Sequence, residues 1–298
     1  MIKKLVIIML LVSAISRVYA DDLGDRLGRF AADNAEGYLQ PLVNILGASL
    51  NSSTFNCAKV LQPARPGIRI SGIVIPISNT DKKFTAKPPE GLDYVNWGNE
   101  QVRTATIFGK EGKRLGTEEY GLDMPKGLDL DIIIAPQATL SLGLPFGNEA
   151  MFRFIPPVKI HDKIGNLSMW GVGLKHSIDQ YLPNIIPIDI AVQGMYQNMK
   201  VGDLIKVNSI AVDAMVSKKL SLLTFYGGLG FEETSFKVEY DYKPFEETNA
   251  RKIELDMKTD NNVKATLGMR VNVMYVHLFA DYTIANDSMF SFGMGLGF

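Results

Sequence analysis

Five stretches in the last two thirds of this chain alternate apolar and polar residues over eight to ten positions, and that period of two most constrains its fold. Ala138, Leu140, Leu142 and Leu144 face one way, and Gln137, Thr139, Ser141 and Gly143 the other. Ile188, Ile190, Val192 and Tyr196 oppose Asp189, Gln193 and Gln197. Val263, Ala265, Leu267, Met269 and Val271 oppose Lys264, Thr266, Gly268 and Arg270. Val276, Leu278, Ala280, Tyr282 and Ile284 oppose His277, Asp281 and Thr283. The final stretch sets Phe290, Phe292, Met294, Leu296 and Phe298 against Ser291, Gly293, Gly295 and Gly297. Successive side chains of a strand point to opposite faces, so each stretch reads as a two-faced β-strand.

A half-buried sheet of a soluble protein alternates as well. Three features select a membrane barrel instead. The stretches exceed the roughly five or six residues of an ordinary strand and match the roughly ten that cross a bilayer at a tilt. Their apolar faces are rich in aromatics while the opposite faces are small or charged, which suits lipid outside and a polar lumen inside. The chain also ends on an aromatic residue in an amphipathic strand, similar to the C-terminal signature of outer-membrane barrels. Phe290, Phe292, Met294, Leu296 and Phe298 are therefore the candidate signal for the barrel-assembly machinery. Phe152, Tyr181, Tyr226, Tyr275 and Tyr282 would form interfacial girdles. The expectation is an all-β transmembrane antiparallel barrel of about 12 strands, within a range of about 10–14, preceded by a helical segment.

Residues 1–20 read as a signal peptide. Lys3 and Lys4 precede the apolar run Leu5–Ile15, and small Val18 and Ala20 predict cleavage after Ala20. The run is too short to span about 30 Å of hydrocarbon. The expected destination is the outer membrane of a Gram-negative bacterium. Residues 21–50 carry helical spacing, with Leu23, Leu27, Phe30 and Ala31 followed by Leu39, Leu42, Val43 and Leu46. Pro41 places a kink or a new first turn between the two sets. Such a segment can plug a pore, pack outside a barrel in the periplasm, or lie on a membrane. Residues 51–66 are polar and read as a linker, leaving 67–298 for the barrel. The one cysteine, Cys57, excludes a disulfide framework or a cysteine-rich zinc site, and a buried inert thiol is expected. A formal net charge of -1 excludes the basic signature of a nucleic-acid binder.

Parsed as strands, the chain yields the eleven segments 68–77, 102–109, 129–144, 149–156, 166–178, 187–198, 203–216, 219–242, 259–271, 274–285 and 288–298. Single-chain barrels usually have an even number, so one strand is missed or false, and the poor pattern between 78 and 128 is where to look. Within 219–242 the apolar positions change from odd (Leu223, Phe225, Leu229, Phe231) to even (Phe236, Val238, Tyr240, Tyr242), which predicts a bulge or a tight turn near 232–235. Short connections at 145–148, 179–187 and 217–219 would be periplasmic and the polar stretch 244–260 extracellular.

The signal peptide, the segment YLQPLVNILGASLNSS, the hairpin TLSLGLPFGNEAMFRFIPP and the segment VSKKLSLLTFYGGLGFEE together resemble a family of Gram-negative outer-membrane barrels of unknown function. The resemblance implies the fold and location and brings no activity. A helical N-terminus ahead of a medium-sized barrel is also loosely similar to the outer-membrane long-chain fatty-acid transporters. That resemblance implies an N-terminal hatch and hydrophobic ligands passing the wall, with no motif residue to carry over.

The alternation assigns Arg153, Lys175, Asp189, Gln193, Gln197, Asp213, Lys264, Arg270, His277 and Asp281 to the lumen, with Gln137, Thr139 and Ser141. Such a mixture of signs can orient solutes in a channel or fill a closed barrel with ion pairs. The three histidines form no catalytic motif: His176 and Ser177 point to opposite faces, His161 lies beside Asp162 in a loop, and His277 and Asp281 stand too far apart on one strand, which leaves His277 a cross-strand partner such as Asp213 or Asp189. No metal motif and no nucleophile motif occurs, and Glu232, Glu233, Glu246, Glu247, Asp256 and Asp260 match no calcium-loop spacing. Gly227, Gly228 and Gly230 read as relief of crowding in a strand. The expected role is passive transport of small or hydrophobic solutes, without enzyme activity or cofactor. The expected partners are outer-membrane lipid, the assembly machinery and small hydrophobic solutes. A closed structural or surface-interaction barrel is the alternative, and a lipid hydrolase around His277 a third.

Overall fold

The structure, a computed structural model, describes residues 32–88, 101–118, 121–161, 165–183, 187–242 and 251–297. The expected signal peptide with Ala20, the first part of the helical segment, Glu246, Glu247 and Phe298 lie outside them. One helix, α1 (Ala32–Asn51), precedes fifteen strands. These are β1 (Pro66–Pro76), β2 (Lys83–Ala86), β3 (Val102–Ala105), β4 (Arg114–Gly116), β5 (Gly121–Asp123), β6 (Ile132–Leu144), β7 (Asn148–His161), β8 (Gly165–Ser177), β9 (Asp189–Val201), β10 (Ile205–Leu220), β11 (Leu223–Tyr242), β12 (Arg251–Lys258), β13 (Val263–Val273), β14 (Val276–Ile284) and β15 (Met289–Gly297). No described helix is long and apolar enough to cross a membrane.

Ten strands close into a transmembrane antiparallel barrel, running β1, β6 to β11, β13, β14 and β15, with β15 pairing back to β1. The even number resolves the eleven-segment parse. Segment 102–109 is the false member: only Val102–Ala105 is a strand, and it pairs with β2 outside the barrel wall. β12 is an eleventh strand on the same sheet. It continues β13 along the edge of β11: pairing runs from Leu223↔Val271 to Phe231↔Val263, then resumes at Ser235↔Lys258. Residues 232–234 thus face 259–262, a bulge with one extra residue on the β12–β13 side. Bonds from Glu232 N to Asn262 O (2.9 Å) and from Thr259 N to Thr234 O (3.1 Å) keep the two strands joined across it. The stretch 244–260, expected as loop, therefore holds a strand.

The lower end of the barrel carries tight turns at 145–147, 221–222 and 274–275, and the upper end the long connection 77–131 with β2 to β5. The β10–β11 turn lies at Ser221–Leu222, not at 217–219, because Lys218 and Lys219 still pair with Phe225 and Thr224. In the lower half the outward residues form a continuous apolar belt, including Leu140, Val172, Ile210, Leu229, Leu267, Leu278 and Phe292, all exposed. Tyr226, expected in the girdle, points inward and is buried.

Strands of 13–20 residues such as β9, β10 and β11 exceed the roughly ten needed to cross hydrocarbon, and their upper ends change character. On β11 the even residues from Thr224 to Val238 stay inward, so there is no bulge or turn in this stretch of the strand. Below, they are polar or small (Thr224, Gly228, Gly230, Glu232, Thr234); above, they are Phe236 and Val238, while Glu233, Ser235 and Lys237 face out. On β10, Ile205 and Val207 are buried at the top, and Ser209, Asp213 and Ser217 below. The apparent phase flip is an inversion of surroundings: above the bilayer water lies outside, and an apolar core lies inside.

That core holds α1. Tyr38, Leu39, Val43, Ile45 and Leu50 pack with Ile73, Ile75, Val207, Phe236, Leu255 and Met257, under a cover from Ile107, Phe108 and Leu115. Its apolar side chains turn into this core while Glu36 stays exposed, and Pro41 sits within the helix without ending it. Gly47 crosses the bulge so closely that a Cβ there would stand 2.4 Å from Thr259 Cγ2. Gln40 and Asn44 bond the same corner, Gln40 Nε2 to Lys258 O (2.9 Å) and Asn44 Nδ2 to Asp260 Oδ2 (3.0 Å).

Candidate functional site in the plugged lumen

Below α1 the chain runs down the lumen to β1. The stretch expected as a linker is not solvated: residues 51–58 are all buried inside the barrel. A polar sequence can be buried here because the barrel interior is itself polar.

The last four carbonyls of a helix lack intrahelical partners, and those of α1 point into the barrel with no basic residue in its own last turn. Side chains satisfy all four, three of them from the wall. Ala48 O accepts from Ser52 Oγ (2.7 Å), Ser49 O from Gln137 Nε2 (2.6 Å), Leu50 O from Arg153 Nη1 and Gln197 Nε2 (2.8 Å each), and Asn51 O from Lys264 Nζ. Cations at a helix C-terminus also meet the negative end of its dipole, worth up to about 2 kcal/mol when partly buried. Arg153 reaches on to Ser52 O (3.0 Å), and Arg69 Nη2 donates to Ser53 O and Thr54 O at 3.0 Å each. Among the described residues neither arginine has an ion-pair partner within 4.0 Å; their charge is spent on the backbone of the plug.

A second layer pairs charges. Lys264 Nζ stands 3.2 Å from Asp213 and 3.4 Å from Glu232, all three buried. Asp213 also accepts from Thr54 Oγ1 (2.9 Å) and Gln193 Nε2 (3.3 Å), tying plug to wall. A Cβ on Gly230 would lie 2.2 Å from Asp213 Oδ1, and one on Gly228 2.7 Å from the Phe55 ring, so these glycines make room for the charge cluster and the plug. Lower down, Lys175 pairs with Glu149 (3.0 Å) and bonds Lys59 O (3.2 Å), while Glu149 accepts from Leu61 N (3.0 Å). Arg270 meets Asn56 and the buried thiol of Cys57, each at 3.3 Å. Asp189 accepts from Ser217 Oγ (3.3 Å), and Asp281 from the Tyr226 hydroxyl (2.8 Å).

The ten lumen candidates thus divide. Arg153, Gln197, Asp213, Lys264, Lys175 and Arg270 bond the plug directly; Gln193 reaches it through Asp213, Asp189 through Ser217, which accepts from Ala58 N, and Asp281 through Tyr226, whose ring packs on Phe55; His277 has no hydrogen-bond partner at either ring nitrogen. No Asp reaches His277, as a His–Asp pair would require. Among the described residues no cluster of histidine, cysteine and carboxylate side chains could hold a metal. Sequence reasoning missed Arg69, Glu149 and Glu232 on the inner wall. Exposed Ile68 and Ile70 flank Arg69, which was the available signal. On the lipid side, Phe290, Phe292, Met294 and Leu296 are exposed along β15, between β14 and β1.

A family model matches residues 1–298. The chain belongs to DUF6588, a family of unknown function. No curated protein matches it. Among solved structures it is similar to the N-terminal β-barrel domain of OprF from Pseudomonas aeruginosa, at 11% identity over 51% of this chain and 94% of that one, with a TM-score of 0.23. It is similar to Ail from Yersinia pestis at 9% identity over 80% and 100% (TM-score 0.25). It is similar to OmpF of Salmonella typhi in complex with daunomycin at 8% over 78% and 97% (TM-score 0.25). At such scores the fold of this DUF6588 chain rests on its own strand pairing.

Proposed function

We propose that this protein is an outer-membrane channel held closed by its own N-terminal segment, passing small solutes when that segment is displaced. Its lower, short-turn end then faces the periplasm, the usual orientation of such barrels. The observation that carries this reading is the chemistry of the seal. The plug thread meets the wall through hydrogen bonds, several of them from charged side chains, from Gln137 at its top to Lys175 near its base. Withdrawing residues 51–61 exposes mainly hydrophilic wall groups that water solvates, so each bond lost there costs only about 0.5–1.5 kcal/mol net, more where it is charged, while α1 above them is held by apolar burial. The role needs no catalytic group and no cofactor. Membrane lipid, the assembly machinery reading the β15 strand and the transported solute are its proposed partners.

The test is planar-bilayer conductance of the mature protein beside a version lacking residues 21–61, with insertion checked by heat-modifiable migration. The deletion must include 51–61, because that part also fills the lumen. The full chain is expected to be closed and the deletion to conduct steadily. Silence from both, once inserted, leaves the closed structural barrel.

A second reading concerns apolar solutes. β6 pairs with β7 only from Ala138↔Phe154 downward, and Pro136, Pro156 and Pro157 remove donors where the strands part. Exposed Ile132 and Ile134 outside and half-buried Ile133 and Ile155 packed on the inner core make that seam apolar, suited to sideways passage at the upper edge of the membrane. Cross-linking the seam with a cysteine pair would block such passage and leave ion conductance unchanged.

A further inference from the structure

At the lower mouth, between plug and wall, lies a cavity of about 60 Å³ lined by Asn56, Arg69, Glu149, Lys175, Arg270 and His277, among others. A water needs roughly 10–15 Å³ of such space, so the cavity takes a group the size of about four waters. Its polar groups have one bias. Among the described residues Glu149 is the lone carboxylate in the lining, and it is paired with Lys175 and accepts from Leu61 N. Arg69 and Arg270 make no ion pair among the described residues. Three donors end without an acceptor: Arg69 Nε, Asn56 Nδ2 and the His277 ring, whose two nitrogens are both unpartnered although the residue is only 7% exposed. The imidazole is held against the wall, where a Cβ on Gly295 would lie 2.4 Å from His277 Nε2. Buried donors without acceptors are costly, and here they line one partly open, positively charged space.

We propose that this cavity binds a small oxyanion of the phosphate class, with Arg69 and Arg270 supplying charge and Asn56 and His277 directional hydrogen bonds. The anion spans plug and wall, since Asn56 belongs to one and the other three to the other. It therefore stabilises the closed barrel. Exposed Ile68 and Leu296, at the lower ends of β1 and β15, are part of the lining, so the phosphate can be free in solution or carried on a lipid headgroup. The proposal concerns equilibrium binding and stands whether or not the barrel conducts.

The test is calorimetric titration of the full mature protein in neutral detergent with inorganic phosphate, and separately with dodecyl phosphate. Ionic strength is held with gluconate, which is too large for the cavity. Saturable binding by either probe is expected. Inorganic phosphate binding assigns the free ion, and dodecyl phosphate alone assigns the headgroup. Arg270→Gln and His277→Gln should each weaken binding about tenfold, in protein whose heat-modifiable migration shows a folded barrel. On the unsubstituted protein, histidine-selective ¹⁵N spectra should show the His277 signals moving while those of His161 and His176 stay. No saturable binding by either probe, binding unchanged in both variants, or movement of His176 in place of His277 would overturn the site.

Discussion

The two halves of β11 bury opposite chemistries with the same alternation. Below Thr234 the inward side is hydroxyl, glycine and carboxylate and the outward side is Phe225, Leu229 and Phe231; above it, Phe236 and Val238 are inside and Lys237 and Glu239 outside. A strand has no preference of its own between these arrangements. The solvent decides: in hydrocarbon the apolar face turns out, and in water it turns in. The same plug answers both halves, with an apolar helix in the upper core and a polar thread in the lumen. The upper half holds it by burial and the lower half by hydrogen bonds and charge.

The largest effect should come from breaking the lower half at its charge cluster. Lys264→Met leaves Asp213 and Glu232 buried without their cation and Asn51 O without its donor, and should cost about 3–5 kcal/mol. Urea unfolding in detergent measures it, and adding Asp213→Asn with Glu232→Gln should recover most of the loss. If the triple variant is no better than Lys264→Met alone, charge pairing is not what Lys264 supplies.

In the upper half the matching change is Phe236→Ala, which empties a site 1% exposed and should cost about 3–5 kcal/mol by cavity formation, somewhat less if the core relaxes. Unlike Lys264→Met, it has no partner substitution that restores stability.

The boundary itself is tested from outside. Leu229→Arg places a cation in the lipid belt and should cost about 2–4 kcal/mol, while Ser235→Arg, on the same face six residues on, should cost next to nothing. Equal costs would move the boundary or remove it.

The smallest effect is electrostatic and above the membrane. Glu233 is held below the usual carboxylate range by its bond to exposed Lys258 (2.6 Å). A lowered folded pKa contributes stability that is present above the ordinary value of 4.5 and lost as pH falls through the folded one. Glu233→Gln should therefore differ from the natural protein by at most a degree in melting temperature at pH 7, and the difference should shrink as pH falls below 4.5 and vanish below the folded value.

Much of the wall was legible in the sequence. Ten of the eleven parsed segments are barrel strands, and the inner and outer faces follow from alternation because the two-residue period is a local property of the backbone. Errors arose where the local pattern has two physical causes. An exchange of solvent at 232–235 looks in sequence like a register slip. Tyr226 resembles a girdle residue until its hydroxyl is seen on Asp281. Arg69 and Glu149 sit on strands whose alternation was readable, but a single charge says nothing about what it will meet.

The sequence by itself determined that the chain pairs long two-faced strands and carries a helix before them, since both rest on periodicities of 2 and 3.6 residues. Only the tertiary structure decided that the helix lies inside, that residues 51–58 fill the lumen, and that wall residues of β6, β7, β9 and β13 cap the helix end. The reason is the reference solvent. A polar segment such as 51–58 is a linker if its surroundings are water and a plug if they are a polar barrel wall, and closure of the sheet creates that wall.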